Sequence, residues 1–194
     1  MSKVILVTGA SRGLGEAIAK KFLDNKDIVY INYNKTSLKE LEEKYSEYKN
    51  ARFIKCDVSN EEEVKNMMSK IKKEEDHLDV LVNNAGIAID SELKDKTKAS
   101  FQRILDVNLI GPFLTSKYAL EIMDKGSIIN ISSTNGIDTY YSYSLDYDAS
   151  KAGLINLTHN FASMYAPNIR VNCIAPGWIN TDMNKELDEE YIKE

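Results

Sequence analysis

Short apolar runs alternate along this chain with longer segments in which apolar residues recur at helical spacing. Runs rich in Val, Ile and Leu occur at residues 4–7, 28–33, 53–54, 79–83, 127–131 and 170–175. Continuous runs of this kind are typical of strands buried on both faces, as in parallel sheets. Helical spacing is found between them, at residues 14–23, 38–48, 61–72, 98–123 and 147–165. The alternation predicts an α/β fold, a three-layer doubly wound parallel sheet, formed by residues 1–194 as one domain.

The bulk composition excludes several classes of protein. The 194 residues are 43% hydrophobic, enough for a sizeable core, and carry a net charge of −5 with acids and bases interspersed. Proteins that bind nucleic acid or anionic membranes need a basic face, so we expect neither partner. Cys56 and Cys173 lie far apart and outside any metal-binding spacing, so we expect buried free thiols and no metal site. Without a leader pattern or a membrane-length apolar run, we expect a cytoplasmic protein.

A glycine-rich turn follows the first predicted strand. It runs Thr8-Gly9-Ala10-Ser11-Arg12-Gly13-Leu14-Gly15 and opens the first predicted helix. Glycines let the backbone approach a phosphate closely, the helix N-terminus offers free N–H groups, and Arg12 adds a cationic fork. We therefore predict that the turn binds the pyrophosphate of a dinucleotide through Gly9, Ser11, Arg12, Gly13, Leu14 and Gly15. A tight turn without a ligand is the alternative.

The end of the second strand bears on the choice of dinucleotide. In NAD-binding domains an acid about 20 residues beyond the glycines holds the ribose 2′-hydroxyl. No carboxylate is present here, and the strand is followed by Asn34, Lys35, Thr36 and Ser37. A cation and small polar groups suit a 2′-phosphate, so we predict NADP(H), with Asn34 and Lys35 in its binding site. The alternative is that Lys35 is an ordinary surface lysine.

Two further polar segments follow predicted strands at the edge where open α/β sheets bind ligands. Asp57 and Val58 come after the third strand, and the Asp57 carboxylate could accept a hydrogen bond from an adenine amino group. The alternative for Asp57 is an N-cap or turn role, which Ser59-Asn60 could also fill. Asn84, Ala85 and Gly86 end the fourth strand, where small residues would let a ribose lie against the backbone.

A tyrosine and a lysine four residues apart, Tyr147 and Lys151, are predicted to lie on one face of a helix. A fixed ammonium favours phenolate, so Lys151 is expected to bring the pKa of Tyr147 toward the working range of an acid–base catalyst. The same spacing occurs at Tyr45 and Lys49, in a charged segment that we expect to be solvated. Tyr140, Tyr141 and Tyr143, just before Tyr147, are candidate walls of a pocket.

Five motifs occur along the chain in a recognisable order. They are Thr-Gly-x-x-x-Gly-x-Gly at 8–15, Asn-Asn-Ala-Gly at 83–86, Ser133, Tyr-x-x-x-Lys at 147–151 and Pro-Gly at 176–177. Over essentially its whole length the chain resembles the short-chain dehydrogenase/reductases, which have a Rossmann-type fold. Thr-Gly-Ala-Ser-Arg-Gly-Leu-Gly and Asn-Tyr-Asn-Lys look most like the 3-oxoacyl-(acyl-carrier-protein) reductase branch.

The resemblance implies roles for four catalytic residues. Tyr147 matches the tyrosine that gives a proton to the carbonyl oxygen, and Lys151 matches the lysine that lowers its pKa and holds the nicotinamide ribose. Ser133 matches the serine that hydrogen-bonds the substrate carbonyl, with Ser132 as the alternative one residue away. Asn108 matches the helix asparagine that holds a water in a proton relay to Lys151; a buried asparagine at a helix distortion fits the same position.

The resemblance also assigns the segment over the nicotinamide, to which Pro176, Gly177, Ile179 and Thr181 belong. Family members usually continue through a substrate-covering helix, a further helix and a seventh strand, which this sequence does not contain. Met183, Leu187 and Tyr191 fall at helical spacing, so a lid helix is expected to begin. A shortened piece of a longer chain, a natural truncation, and a partner that supplies the strand are the three explanations.

The resemblance implies an NADP(H)-dependent reductase, acting on a 3-oxoacyl group carried by acyl carrier protein in fatty acid biosynthesis. Reduction of another small ketone, sugar or secondary alcohol–ketone pair is an alternative, as is a nucleotide-binding module without turnover. The family is usually oligomeric, so a homodimer or homotetramer is expected.

Overall fold

The computed structural model describes residues 2–180, which form a six-stranded parallel sheet with helices on both faces. The strands are β1 (Val4–Val7), β2 (Ile28–Tyr33), β3 (Ala51–Lys55), β4 (Val80–Asn83), β5 (Gly126–Ile131) and β6 (Ile169–Ile174). The α-helices are α1 (Gly13–Asp24), α2 (Leu38–Lys44), α3 (Glu61–Glu75), α4 (Lys98–Leu105), α5 (Gly111–Ala119) and α6 (Leu145–Tyr165). The predicted doubly wound α/β fold is confirmed.

The strand order β3-β2-β1-β4-β5-β6 places the first strand in the middle of the sheet. β2 and β3 lie on one side of β1. The chain then crosses back, and β4, β5 and β6 lie in order on the other side of β1. Loops leaving the carboxyl ends of β1 and β4 therefore diverge to opposite faces and leave a crevice between them. Ligands bind at such a switch point in open α/β sheets.

The sheet separates two apolar layers, because successive side chains of each strand point to opposite faces. The layer formed with α3 and α5 includes Leu6, Leu81, Met68 and Leu114. The layer formed with α1 and α2 includes Ile5, Val7, Leu23 and Leu41. All four residues of β1 are buried, as its continuous apolar run predicted.

The long helix predicted over residues 98–123 is divided into two. A five-residue π-helical segment, Asp106–Ile110, joins α4 to α5. Pro112 lies in the first turn of α5 and has no backbone N–H, so the normal i→i+4 pattern fails for the carbonyl four residues earlier. The distortion therefore precedes Gly111-Pro112, where we expected a kink, and it contains Asn108.

The predicted helix over residues 38–48 is also shorter, ending at Lys44. The expectation that Tyr45 and its neighbours are solvated is wrong for the tyrosine. Tyr45 is 2% exposed, packs edge-to-face on Phe53, and its hydroxyl donates to the carbonyl of Ala10 at 2.8 Å. Tyr45, directly after the last residue of α2, therefore packs against the glycine-rich turn.

β6 is the outer strand of the sheet formed by residues 2–180. The expected lid helix with Met183, Leu187 and Tyr191 lies outside the described residues, and so does any further strand. Of the two cysteines, Cys56 is buried as expected and Cys173 is only partly covered; both are free thiols. Across the described part of the chain, no helix is long and apolar enough to cross a bilayer, and His, Cys, Asp and Glu form no group of three suited to a metal ion.

Candidate active site

The polar residues predicted to bind a ligand follow β1 to β6 at their carboxyl ends, where parallel strands bring them to one edge of the sheet. The glycine-rich turn, residues 8–15, leaves β1 at the centre of this edge. Residues 84–86 leave the neighbouring β4, and Tyr147 and Lys151 lie in α6, behind β5. The structure therefore gathers segments more than 130 residues apart in the chain into one region.

Two glycines of the turn have backbone conformations that other residues rarely adopt. Gly9 has φ = 63° and Gly13 has φ = 59°. A Cβ on Gly9 would also lie 2.8 Å from the Cα of Ala85. The turn is consequently tight, and α1 begins at Gly13 with Arg12 at its N-cap position and no side-chain cap. Its first N–H groups are left for another acceptor.

Thr8 and Asn84 bind the glycine-rich turn to the end of β4. The Thr8 hydroxyl accepts from the backbone N–H groups of Asn84 and Ala85, both at 3.0 Å. The Asn84 amide in turn donates to the carbonyls of Thr8 at 2.9 Å and Gly9 at 3.2 Å. The Asn84 side chain is thus a scaffold of the turn, with both amide hydrogens directed to backbone oxygens.

α2 supports the turn from the opposite side. The Lys44 ammonium donates to the carbonyl of Ser11 at 2.7 Å and pairs with Glu16 at 2.9 Å. Together with the Tyr45 hydroxyl on Ala10, it occupies two carbonyls on the outside of the turn. These contacts come from 33 and 35 residues away and were not anticipated from the sequence.

Asn34 and Lys35 are exposed beyond β2, at the ligand-binding edge. After β3, Asp57 has the turn role that was its alternative: one carboxylate oxygen accepts from the backbone N–H of Ser59 at 3.0 Å and from its hydroxyl at 2.6 Å. Burial alone would raise the pKa of Asp57, but these hydrogen bonds and the Arg103 guanidinium hold it below its ordinary value. Asn60, not Asp57, caps α3.

Val58, next to Asp57, is buried at 5% exposure. Its side chain lies against Gly111, where an added Cβ would be 2.9 Å from a Val58 methyl carbon. The face of Val58 that could meet a ligand is therefore small, and its predicted cofactor contact stays a prediction.

Lys151, four residues beyond Tyr147 on α6, is nearly enclosed, at 4% exposure. Its ammonium donates to the carbonyl of Ile131 at the end of β5, at 2.8 Å, and lies 5.4 Å from the centroid of the Tyr147 ring. Removal from water disfavours the charged form and lowers the pKa of Lys151 to about 8.

The pKa of Tyr147 differs from the expectation. Burial raises it above its ordinary value, the nearby carboxylates of Asp148 and Asp90 act in the same direction, and a hydrogen bond with Ser133 opposes them. The prediction that Lys151 brings this pKa down is wrong for this arrangement. Burial dominates, and the ammonium is directed to the Ile131 carbonyl.

The two candidate serines at the end of β5 have different surroundings. The Ser132 hydroxyl is buried and donates to the backbone carbonyl of Lys151 at 2.9 Å, which gives it a structural partner. The Ser133 hydroxyl bonds Asn135 in the short turn that follows and also interacts with Tyr147. The geometry therefore favours Ser133 over Ser132 as the residue available to a substrate.

Asn108, inside the π-helical segment, is completely buried. Its side-chain oxygen accepts from the backbone N–H of Ile87 at 2.9 Å, and its amide donates to the Ile87 carbonyl at 2.9 Å and to Ser150 at 3.2 Å. Asn108 thus holds the segment after β4 against α6, as expected for an asparagine at a helix distortion. Gly86 lies against the same corner, where an added Cβ would be 3.4 Å from the Asn108 Oδ1 and 3.6 Å from the Lys151 ammonium.

Below these residues lies a buried polar network that the sequence reasoning missed. The Asn83 amide donates to Ser116 at 3.0 Å and Asn130 at 2.8 Å, while Thr115 donates to Asn83 at 2.6 Å. Asn130 donates to Thr158 on α6 at 2.9 Å. Asparagines inside otherwise apolar strands were the available signal, because a buried amide must find partners.

Aromatic residues from the segment before α6 pack together with one from the segment after β6. Tyr141 packs edge-to-face on Tyr143, with ring centroids 5.4 Å apart, and on Trp178 at 6.0 Å. Tyr140 points into solvent at 85% exposure, so the predicted pocket wall does not include it.

The segment after β6 returns to the same edge. The carbonyl of Pro176 accepts from the backbone N–H of Thr134 at 3.0 Å, while Gly177 and Ile179 are exposed. Thr181, predicted to bind a nicotinamide carboxamide, lies outside the described residues.

Known proteins are similar to this chain in both sequence and architecture. A family model described as short chain dehydrogenase matches residues 3–192. A 3-oxoacyl-(acyl-carrier-protein) reductase, FabG, of Aquifex aeolicus is 38% identical over 197 residues, covering 97% of this chain and 78% of the relative.

Two solved structures extend the comparison. The structure of ElxO with NADP bound has a TM-score of 0.90 at 36% identity, covering 98% of this chain and 80% of that one. A gluconate 5-dehydrogenase of Burkholderia cenocepacia, in complex with NADP and tartrate, has a TM-score of 0.90 at 25% identity, with 98% and 78% covered.

Proposed function

Because the chain belongs to the short-chain dehydrogenase/reductase family, we propose that it reduces a ketone to a secondary alcohol with NADPH as the cofactor. One observation carries the proposal: Tyr147, Lys151 and Ser133 meet beyond the end of β5, beside the crevice that the glycine-rich turn opens. A proton donor, a cation and a hydroxyl are the groups that carbonyl reduction requires around the reacting oxygen.

The residues present fit a dinucleotide with a 2′-phosphate. The left-handed backbone at Gly9 and Gly13 and the uncapped start of α1 form a cradle suited to a pyrophosphate. Lys35 and Arg12 are both exposed at this edge, and residues 34–37, directly after β2, include no carboxylate to repel a phosphate. The NADP named in the ElxO and gluconate 5-dehydrogenase structures supports the same choice.

The chain's own groups divide the chemistry as follows. When bound, NADPH supplies the hydride for the carbonyl carbon. Tyr147 donates the proton to the carbonyl oxygen, and the Ser133 hydroxyl hydrogen-bonds that oxygen. Lys151, which has an ammonium in an almost closed site, holds the nicotinamide ribose, and Asn108 fixes the backbone of Ile87 beside it.

For the substrate we propose a 3-oxoacyl thioester on acyl carrier protein, in fatty acid biosynthesis. The FabG of Aquifex aeolicus supports this choice, as does the Asn-Tyr-Asn-Lys end of β2. A small polar ketone is the second candidate, because a gluconate 5-dehydrogenase matches this fold with a TM-score of 0.90. A binding module without turnover is the third.

Oxidation of NADPH, followed by the loss of its near-ultraviolet absorbance, tests the reaction with acetoacetyl thioester and with a series of keto sugar acids. Replacement of Tyr147 by Phe keeps the ring and removes the proton, so kcat should fall by about 100-fold or more. Tyr140→Phe is the matched control, because Tyr140 belongs to the same segment but is exposed.

Full activity of the Tyr147→Phe variant would contradict the assigned mechanism. Tight NADPH binding without turnover of any carbonyl compound would favour the binding module. Faster turnover of acetoacetyl thioester would favour the 3-oxoacyl substrate, and faster turnover of a keto sugar acid would favour the small polar ketone.

Cofactor choice has its own test. Lys35→Ala should weaken NADPH binding by about 10-fold and leave NADH binding unchanged, because only NADPH carries the 2′-phosphate. Lys39→Ala is the control, since this lysine is also exposed, at 87%, but belongs to α2. Equal loss of affinity for both cofactors would refute the role of Lys35.

We further propose that the protein is a cytoplasmic homo-oligomer, a dimer or a tetramer. Light scattering coupled to size-exclusion chromatography measures its mass directly, and a monomer over the micromolar range would overturn the proposal.

A further inference from the structure

A buried ion pair lies directly beside the proposed proton donor. The Lys96 ammonium is 2.7 Å from Oδ1 of Asp146, and the two side chains are 5% and 0% exposed. In every other ion pair among residues 2–180, both side chains are at least 20% exposed. Asp146 is the residue before Tyr147, and 50 residues separate it from Lys96.

Each member of the pair also holds backbone. The Lys96 ammonium donates to the carbonyl of Ile89 at 2.9 Å, within the loop that follows β4. Oδ1 of Asp146 accepts the backbone N–H of Tyr147 at 3.0 Å, in the first turn of α6. One carboxylate oxygen therefore links the loop of residues 87–96 to the main chain of the proposed proton donor.

The rest of this loop is attached to the same neighbours. Asn108 holds Ile87 through both its N–H and its carbonyl. The backbone N–H of Ser91 donates to the carbonyl of Tyr143 at 3.2 Å, just before α6 begins. The loop is thus fixed at its start, its middle and its end, and the Lys96–Asp146 pair provides the end.

Stability is a poor explanation for the pair. Transferring two charges into the protein interior is unfavourable, and apolar replacements of buried pairs are often neutral or stabilising. Moreover, Oδ2 of Asp146 is buried without a hydrogen-bond partner among the described residues. An ion pair with directed hydrogen bonds specifies one position and an apolar contact does not, so the arrangement favours a role in positioning.

We propose that Lys96 and Asp146 are positioning residues, which hold the loop after β4 on the first turn of α6 and thereby set the place of Tyr147 for proton donation. The proposal rests on the role of Tyr147 given above. Neither side chain touches the reacting atoms; both act through the backbone of residue 147.

The test compares three variants of the full chain. Lys96→Met leaves a buried carboxylate unpaired and is expected to lower the melting temperature strongly. The double variant Lys96→Met with Asp146→Asn removes both charges at nearly constant volume, and the introduced amide keeps an oxygen for the Tyr147 N–H. Lys94→Met is the matched control, because Lys94 pairs with Glu92 at 2.7 Å in the same loop, but both side chains are exposed.

If Lys96 and Asp146 act by positioning Tyr147, the double variant should recover the stability of the wild type but not its catalytic rate. Its melting temperature should return to within a few degrees of the wild type, whereas kcat stays about 10- to 100-fold lower, since small displacements of a reacting group have effects of this size. The KM for NADPH should change less than about twofold, because the glycine-rich turn proposed to bind the cofactor follows β1 and does not include the altered residues. Recovery of kcat in parallel with the melting temperature would overturn the proposal, as would unchanged kcat in both variants.

Amide hydrogen exchange tests the positioning role of Lys96 and Asp146 independently of activity. In the double variant, exchange should quicken in residues 87–96 and at the start of α6, and stay unchanged in the other strands and helices. Unchanged exchange in both segments would overturn the proposal even if the wild type reduced no carbonyl compound. That absence of turnover would by itself refute only the proposed function.

Discussion

Replacing Lys151 by methionine is expected to change stability in a pH-dependent manner. Burial lowers the pKa of Lys151 from 10.5 to about 8. Below pH 8 the ammonium is charged in the folded and unfolded states, and the folded state binds its proton less tightly. At 1.36 kcal/mol per unit, burial of the charge therefore destabilises the folded protein by about 3 kcal/mol at pH 7.

The sign of the pH dependence follows from the same pKa values. Between pH 8 and 10.5 the folded protein has lost this proton and the unfolded chain has kept it, so stability rises with pH. Above 10.5 both states are neutral and the penalty is gone. Raising the pH from 7 to 9 covers one unit of this window and should stabilise the wild type by about 1.4 kcal/mol through Lys151 alone.

Lys151→Met removes the buried charge and also the donor to the Ile131 carbonyl. Loss of that hydrogen bond offsets the gain by about 1–3 kcal/mol, so the variant should equal or exceed the stability of the wild type at pH 7. The cost of losing this hydrogen bond is the same at both pH values, because the neutral amine of Lys151 also donates to the Ile131 carbonyl. The stability advantage of the variant should consequently shrink by about 1.4 kcal/mol between pH 7 and pH 9.

Urea unfolding of both proteins at pH 7 and pH 9 measures this change, and groups that titrate in both proteins cancel. Lys98→Met, at an exposed lysine, is the control and should show no such difference. A stability difference between wild type and Lys151→Met that is independent of pH would refute the assignment of a buried, weakened base.

Two further changes test the scaffold of the glycine-rich turn. Thr8→Val keeps the shape but removes the acceptor for the N–H groups of Asn84 and Ala85, so urea unfolding should show a loss of about 2–3 kcal/mol; an unchanged midpoint would contradict the bonding described. Gly9→Ala places a Cβ against Ala85 at a positive φ and should lower stability by about 1–3 kcal/mol and weaken NADPH binding at least about 10-fold, as measured by calorimetry. Gly177→Ala is the control for stability, because no atom of residues 2–180 lies within 4 Å of the added carbon, and an equal loss of stability there would argue against strain at Gly9.

Much of the fold was accessible from the sequence, because its signals are local. Continuous apolar runs identified all six strands of the sheet within one or two residues, although β3 extends further than residues 53–54. Residues 8–15 predicted a strand–helix turn by glycine placement, and the two positive φ values explain why glycines stand there. The spacing of Tyr147 and Lys151 predicted a shared helix face without reference to any other part of the chain.

Where the sequence reasoning failed, the deciding contact lies far away in the chain. Tyr45 resembled a solvated residue among charges, yet its ring fills a space beside β3 and its hydroxyl meets Ala10. The pKa of Tyr147 was expected to follow its charged neighbour Lys151, but the degree of burial outweighs that charge, and burial is a property of the assembled fold.

The residues that can take part in chemistry are visible in the sequence: the glycines that permit a tight turn, and a phenol and an amine one helical turn apart. Tertiary structure alone decided how they are held. Lys96 meets Asp146 across 50 residues, and Asn108 meets Ile87 across 21, because the crossover at β4 brings the loop beyond it onto α6. Local periodicity depends on neighbours a few residues away, whereas burial, pKa and the partner of a charged group depend on what the folded chain places around it.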